Sequence, residues 1–311
     1  MRFAVMGAGC VGSVVASRLF DAGDSVALIA EGRRASALAE RGLVVNGVRR
    51  DIPLAQRGDR IDAVFVCVKN YQLRDACRQL EPYLQSGTVL LPLLNSISPV
   101  SVIRECLPGR KVLYGFISKI DTEREAGSFV YNVAGDIHFG NAINEEPDGL
   151  VCQLKDALLH AGFDVHVDAD MVRSVWKKWM LNIGANQVSA LTEANYLQFA
   201  IIPEIEPLLR SAMGEILKLA DAEDVSLDER DVDDLVAYLT SYPYPKKTSM
   251  LQDIEAGRKT EIEAISGEAM ELARKHGIEC PVNETLFNLI RAKEVVREER
   301  SRRERDGIRG F

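Results

Sequence analysis

The stretch MRFAVMGAGCVG at residues 1–12 constrains this chain more than any other. A short apolar strand runs straight into Gly7-Ala8-Gly9-Cys10-Val11-Gly12, and SVVASRLFDAG follows with helical periodicity. The spacing G-x-G-x-x-G is weak evidence alone. Here it has a strand before it, a helix after it, a second apolar strand at 25–30 and an acidic residue, Glu31, where a ribose would lie. Each glycine then has a mechanical reason: Gly7 for the tight turn, Gly9 for backbone approach to a pyrophosphate, Gly12 for close packing of helix on strand. The start of the helix offers unpaired N–H groups and the positive end of its dipole to phosphates.

The first half continues this alternation. Apolar segments at 62–69, 88–95, 111–116, 128–133, 136–140 and 164–168 read as strands, and 11–22, 33–41, 71–84, 98–106 and 147–161 read as helices. Asn46-Gly47 marks a tight hairpin turn. The run DAVFVCVK is apolar nearly throughout, as expected for a strand covered on both faces of a parallel sheet. The pattern predicts an α/β, doubly wound sheet, with 147–168 as its last crossover. Beyond about residue 170 strand signals vanish and helical periods dominate, at 171–190, 203–222, 228–240, 249–256 and 260–275. Domains are therefore expected over 1–170 and 171–311. The charged tail from Lys293 reads as a solvated terminal helix that frays.

Charge and composition narrow the function. A net charge of −8 argues against a general nucleic-acid or membrane-surface binder, and no apolar run approaches the length of a membrane span. The apolar start is the first strand rather than a signal peptide. The six cysteines have no C-x-x-C spacing and read as reduced, buried small hydrophobes of a cytoplasmic protein. His138, His160, His166 and His276 fall in unrelated segments, each expected to be structural, and no metal is expected.

Two further constellations carry candidate chemistry. In WKKWMLNIGAN (176–186), Lys178, Asn182 and Asn186 recur every four residues and form one stripe of a helix that is apolar elsewhere. A buried helix must find partners for such a stripe, in an internal network or in a ligand. In TSMLQDIEAGRKTEIE (248–263), Ser249 and Gln252 have capping-box spacing, as do Thr260 and Glu263. A serine at a helix start also suits a carboxylate, and Glu261 either complements the helix dipole or has a functional role. Lys69 and Asn95 each end an apolar strand, where ligands of such sheets bind.

Taken together, GAGCVG, VKNYQ (68–72), WKKWMLNIGAN with ALT after it, and SMLQDIEAGRKTEIE resemble ketopantoate reductase, from residue 1 to about 292. The resemblance implies a Rossmann domain followed by a helical domain like that of 6-phosphogluconate dehydrogenase, and NADPH-dependent reduction of ketopantoate on the way to pantothenate and coenzyme A. It also implies Lys178 as proton donor and Glu261 orienting that lysine or a substrate hydroxyl. Asn182, Asn186, Ser249 and, as a looser match, Asn195 are implied to contact substrate. The dinucleotide would be held by Gly7, Ala8, Gly9, Cys10, Val11, Gly12, Lys69 and Asn95.

Three positions depart from the family pattern. Glu31 replaces an arginine that grips the 2′-phosphate, which keeps NAD(H) open. Arg33 and Arg34 lie two and three residues on and favour NADP(H). Asn95-Ser96 replaces Asn-Gly, and Lys246 stands where some members carry asparagine. Ser96 and Lys246 leave room for a reductase of another small 2-oxo acid on the same scaffold, and a non-catalytic NADP(H) sensor is the alternative of a different class. A small-molecule substrate is the expected partner, and the chain is expected to be a monomer or homodimer.

Overall fold

The structure is a computed structural model that describes residues 1–125, 127–146 and 148–305. It divides into two compact units, Met1–Val175 and Trp176–Phe311. The last six residues of the charged tail, 306–311, lie outside the described residues.

The first unit opens with β1 (Arg2–Met6), α1 (Cys10–Asp21), β2 (Ser25–Ile29) and α2 (Gly32–Arg41). A hairpin of β3 (Leu43–Val45) and β4 (Val48–Arg50) follows. Next come β5 (Ala63–Val66), α3 (Leu73–Leu80), β6 (Val89–Pro92), α4 (Pro99–Cys106) and β7 (Lys111–Val112). Strands β1, β2, β5, β6 and β7 form one parallel sheet in the order β2-β1-β5-β6-β7. Successive side chains of a strand point to opposite faces, and both faces here are covered. Phe3 and Val5 join one buried cluster with Val14 and Leu19 of α1. Ala4 and Met6 join the other, with Leu73, Cys77 and Leu80 of α3 and Ile103 of α4.

The rest of the unit is not one sheet, contrary to the sequence reading. The predicted strand 111–116 breaks at Leu113, whose N–H bonds Leu90 O at 3.0 Å. Its first part, β7, stays in the parallel sheet. Its second part, β8 (Tyr114–Ser118), leaves to pair with β11 (Asp136–Gly140), and β12 (Asp164–His166) pairs β11 on the other side. The crossover through α5 (Gly149–His160) therefore closes a separate three-stranded sheet, not the main one. A third sheet, β4-β3-β10-β9, contains β10 (Ser128–Val133) and the unforeseen strand β9 (Asp121–Glu125). The sequence DTERE of β9 has no apolar alternation, and its ladder with β10 is what makes it a strand.

The second unit is helical. Helix α6 (Met171–Thr192) is followed by α7 (Tyr196–Ile201), α8 (Ile205–Ala222), α9 (Glu229–Thr240), α10 (Ser249–Glu255), α11 (Glu268–His276) and α12 (Pro281–Arg305). The boundary between the units falls within α6. Gly184, in mid-helix, is explained by packing: a Cβ there would meet Met213 Cε of α8 at 2.4 Å. A buried polar network joins α6, α8 and α12. Gln187 Nε2 donates to Asn283 Oδ1 at 2.9 Å, and Glu215 accepts from the Val282 and Asn283 N–H groups at 2.8 and 2.9 Å. That carboxylate satisfies N–H groups in the first turn of α12, groups a helix cannot bond internally.

The predicted helix 260–275 does not form as one α-helix. Residues Glu263–Gly267 form a π-helical segment that passes into α11. Such segments are rare and concentrate at functional sites.

Candidate functional site

In the first unit, the chain order places a switch point beside β1. The connection from β1 goes to β2 on one side, and the chain then returns to β5 on the other. Ligands of open α/β sheets bind beyond the carboxyl ends of strands at such a point. Gly7–Gly12 leaves the end of β1, Lys69 follows β5 and Asn95 follows β6. Lys69 and Asn95 are both half-buried.

The three glycines differ in what surrounds them. Gly7 has φ +94°, and a Cβ there would also strike Cys67 O at 2.7 Å. A Cβ on Gly12 would lie 2.1 Å from Gly7 O, so only glycine lets α1 start this close to the turn. A Cβ on Gly9 would meet nothing within 4 Å. The described residues give no packing reason for glycine at position 9. A ligand that approaches the backbone there supplies one. Gly9 is also the N-cap of α1 and offers no side chain to that helix end. Ala8 is buried, and Cys10 and Val11 are half-buried in the first turn. The loop fits a dinucleotide's pyrophosphate.

The guanidinium that reaches this loop belongs to Arg34. Its Nη2 donates to Ala8 O. Desolvation, and then the nearby guanidinium of Arg124 on β9, hold the Arg34 pKa below its ordinary value. Two cations kept close despite their repulsion mark a place suited to an anion. Arg33, one step round the helix, is exposed and makes no hydrogen bond or ion pair among the described residues. Glu31, the N-cap of α2, does not cap it with its side chain. Ser96, buried, donates from Oγ to Asn70 Oδ1 at 2.6 Å.

In the second unit, the four-residue stripe of α6 is assembled as the spacing predicts. Asn186 Nδ2 donates to Asn182 Oδ1 at 3.3 Å. Asn186 Oδ1 accepts from Ser249 Oγ and from the Met250 N–H, both at 3.2 Å. Asn182 is only 4% exposed, and its Nδ2 has no hydrogen-bond partner among the described residues. A buried donor left unpaired costs about 1–3 kcal/mol, so the position calls for an acceptor that the protein does not provide. One turn away, Lys178 is half-buried, and desolvation of its ammonium pulls its pKa from 10.5 down to about 8. Among the described residues Lys178 has no ion pair, and desolvation alone moves its pKa.

The 248–263 segment differs from its sequence reading. Thr248, not Ser249, is the N-cap of α10 and accepts from Leu251 N–H at 3.3 Å. Ser249 is thereby relieved of capping and turns to Asn186. Asn186 and Thr248 accept from N–H groups in the first turn of this seven-residue helix. Thr260 and Glu263 do not close a capping box. Thr260 donates N–H and Oγ1 to the buried Glu294 at 2.8 and 2.7 Å, and Glu263 pairs with Arg291 at 3.3 Å. Glu261 is 7% exposed and sits just ahead of the π-helical segment. Trp179, next to Lys178, donates Nε1 to Ala264 O of that segment at 3.3 Å. Asn195 has a structural task, capping α7 by accepting from Gln198 N–H at 3.0 Å. Lys246 lies over the Tyr242 ring, Nζ 5.9 Å from its centroid.

A glycine-cradled nucleotide loop in one unit and a lysine–amide stripe in the other define an oxidoreductase that uses a nicotinamide cofactor. Comparison with known proteins makes the family explicit. Residues 3–144 match the family described as ketopantoate reductase PanE/ApbA, and residues 170–294 match its C-terminal domain. The chain belongs to the ketopantoate reductase family. It is 30% identical to 2-dehydropantoate 2-reductase of Halobacterium salinarum, over 94% of this chain and 98% of that one. The enzyme of the same name from Archaeoglobus fulgidus is 28% identical, with the same coverage of both chains. The fold matches D-mandelate dehydrogenase solved with NADH and anilino(oxo)acetate, with a TM-score of 0.86 at 24% identity over 96% of this chain and all of that one. It also matches a PanE/ApbA family ketopantoate reductase from Ralstonia eutropha, with a TM-score of 0.82, the same identity and the same coverage. Among the described residues no helix is long and apolar enough to cross a membrane.

Proposed function

We propose that this protein reduces 2-dehydropantoate to pantoate with NADPH, using Lys178 as the proton donor. The observation that carries the reading is the α6 stripe: a desolvated lysine one turn from a buried, unpaired amide donor. The Gly7–Gly12 loop would hold the pyrophosphate, Arg34 the 2′-phosphate, and Lys69 and Asn95 the nicotinamide side. When bound, the reduced nicotinamide supplies a hydride to the ketone carbon. The protein's part is position and charge.

The Lys178 ammonium donates a hydrogen bond to the ketone oxygen, stabilises the negative charge that develops there and then releases its proton to it. An acid with a pKa of about 8 is well suited to this work near neutral pH, because it is largely protonated yet gives up its proton more readily than an ordinary lysine. Asn182 Nδ2 offers the substrate a donor that has no partner among the described residues. Ser249, held by Asn186, lies on the same network and offers its oxygen to a substrate hydroxyl or, by rotating, its proton to a carboxylate. Glu261, buried just ahead of the π-helical segment, would accept from a substrate hydroxyl or orient the lysine.

A second reading rests on Ser96 and Lys246. Ser96 adds a hydroxyl bonded to Asn70 where glycine would leave space, and Lys246 is drawn to an aromatic ring. Both fit a reductase of a different 2-oxo acid with the same chemistry. The test is NADPH oxidation, followed by absorbance, with 2-dehydropantoate and a panel of 2-oxo acids, NADH being run in parallel. The first reading expects fastest turnover with NADPH and 2-dehydropantoate. Faster turnover of another acid would replace it with the second. Cofactor binding without turnover of any acid would leave a nucleotide sensor.

A further inference from the structure

The three-stranded sheet brings together residues that the chain keeps far apart. Strand β11 lies between β8 and β12, and its register sets His138 opposite Phe116 on one side and His166 on the other. The three rings stack in a row, with centroids 4.5 Å apart at each step and interplanar angles of 10° and 19°. Asp136 is two residues before His138, so it shares that face. His166 Nε2 stands 4.0 Å from Asp136 Oδ2. One donor atom from each of Asp136, His138 and His166 can be chosen so that all lie within 4.8 Å of one another.

We propose that Asp136, His138 and His166 form a binding site for a divalent transition-metal ion of the zinc class. Zinc binds imidazole nitrogen and carboxylate oxygen at about 2.0–2.2 Å, so ligand atoms around it stand roughly 3–4 Å apart. The donors span up to 4.8 Å, so they must close by up to about 1.5 Å on that basis. Stacked rings do not aim their in-plane lone pairs at one ion, so the His166 side chain, 46% exposed, swings out of the stack to bind. Two imidazoles with one carboxylate select zinc, copper or nickel over magnesium or calcium, which prefer all-oxygen shells. His138 Nδ1 is bonded at 2.9 Å to Asp168. With that carboxylate accepting from Nδ1, the other ring nitrogen keeps its lone pair for a ligand, and the ring is oriented as in a carboxylate–histidine–metal triad. The Asp136 carboxylate is nearly buried and is already neutralised by a cation, Lys119 Nζ at 2.5 Å. A metal ion takes over that neutralisation, with water completing its coordination. Bound there, it ties β12 to β11 across the sheet.

The experiment titrates Zn²⁺ into chelator-treated protein by calorimetry, with Co²⁺ absorption as a second readout. The expected result is one equivalent bound with a micromolar Kd, weakened at least tenfold in His166→Gln. Lys119→Gln removes the competing ammonium and tightens binding several-fold, an effect that a metal-free ion-pair cluster does not produce. At a hundredfold excess over Kd, Zn²⁺ raises the Tm of the wild type by about 5 °C or more and leaves His166→Gln unmoved. Circular dichroism checks that both variants fold. Absence of saturable binding, or equal binding in His166→Gln, overturns the proposal. Equal binding would move the ion elsewhere, with the exposed Cys152 the first place to look.

Discussion

Replacing Gly9 and Gly12 separately by alanine distinguishes a glycine required by the fold from one required by a ligand. At Gly12 the new Cβ would stand 2.1 Å from Gly7 O and 3.1 Å from Gly7 C. Those are backbone atoms, so no rotamer change relieves the clash, and the start of α1 must move off β1. Overpacking of this kind costs typically 1–3 kcal/mol, and the backbone contact places Gly12→Ala at the upper end, about 3 kcal/mol. For a unit of this size that is a Tm fall of about 6–12 °C. At Gly9 the Cβ meets nothing within 4 Å, and φ −90°, ψ −158° suits alanine. The weaker N-cap preference of alanine costs on the order of 0.5–1 kcal/mol. Reduced freedom of the unfolded chain returns about 0.4–1 kcal/mol. Gly9→Ala therefore melts within about 2 °C of the wild type while its Cβ occupies the space a pyrophosphate needs. NADPH affinity, measured by quenching of intrinsic fluorescence, falls at least tenfold, equivalent to about 1.4 kcal/mol. Wild-type affinity in Gly9→Ala would refute the cradle, and a wild-type Tm in Gly12→Ala would refute the steric argument.

Three further outcomes follow from the same geometry. Asn182→Leu removes an unpaired buried donor along with one 3.3 Å bond, so stability in urea changes by no more than about 1 kcal/mol while KM for the 2-oxo acid rises at least tenfold; an unchanged KM would remove Asn182 from the substrate site. Arg34→Ala raises KM for NADPH selectively over NADH, whereas Arg33→Ala does little; steady-state kinetics with both cofactors decide, and equal effects on the two cofactors would sink the phosphate assignment. For Lys178 the sign is set by a folded pKa of about 8 against 10.5 in the unfolded chain. The working ammonium is lost as pH rises through 8, so kcat descends there, and a profile flat to about pH 10 would exclude it as the donor. Between those pKa values the unfolded chain binds the extra proton, so stability rises with pH across that window, a slope that Lys178→Met should abolish.

Much of the site was legible because its information is local. A strand, three glycines and a helix occupy 20 consecutive residues, and the i, i+4 spacing of Lys178, Asn182 and Asn186 follows from helix geometry alone. The resemblance to a family then joined the 248–263 segment to that stripe, which spacing could not do. Capping was harder to read. Thr248 and Ser249 are adjacent and chemically alike, and only the path of the backbone into α10 decides which of them caps it. Arg33 and Arg34 pose the same problem, one helical step of about 100° apart, and Arg34 alone reaches Ala8.

By itself, then, the sequence determined the parallel α/β unit, the helical unit after it, the nucleotide turn and the polar stripe, because each depends on residues near in the chain. Only the tertiary structure decided the sheet change at Leu113, the strand β9, the π-helical segment before α11 and the unpaired amide of Asn182. It also decided that His138 and His166, scattered in the sequence, stack face to face. Those outcomes depend on which distant segment becomes a neighbour, and on whether that neighbour brings a partner or leaves a polar group without one.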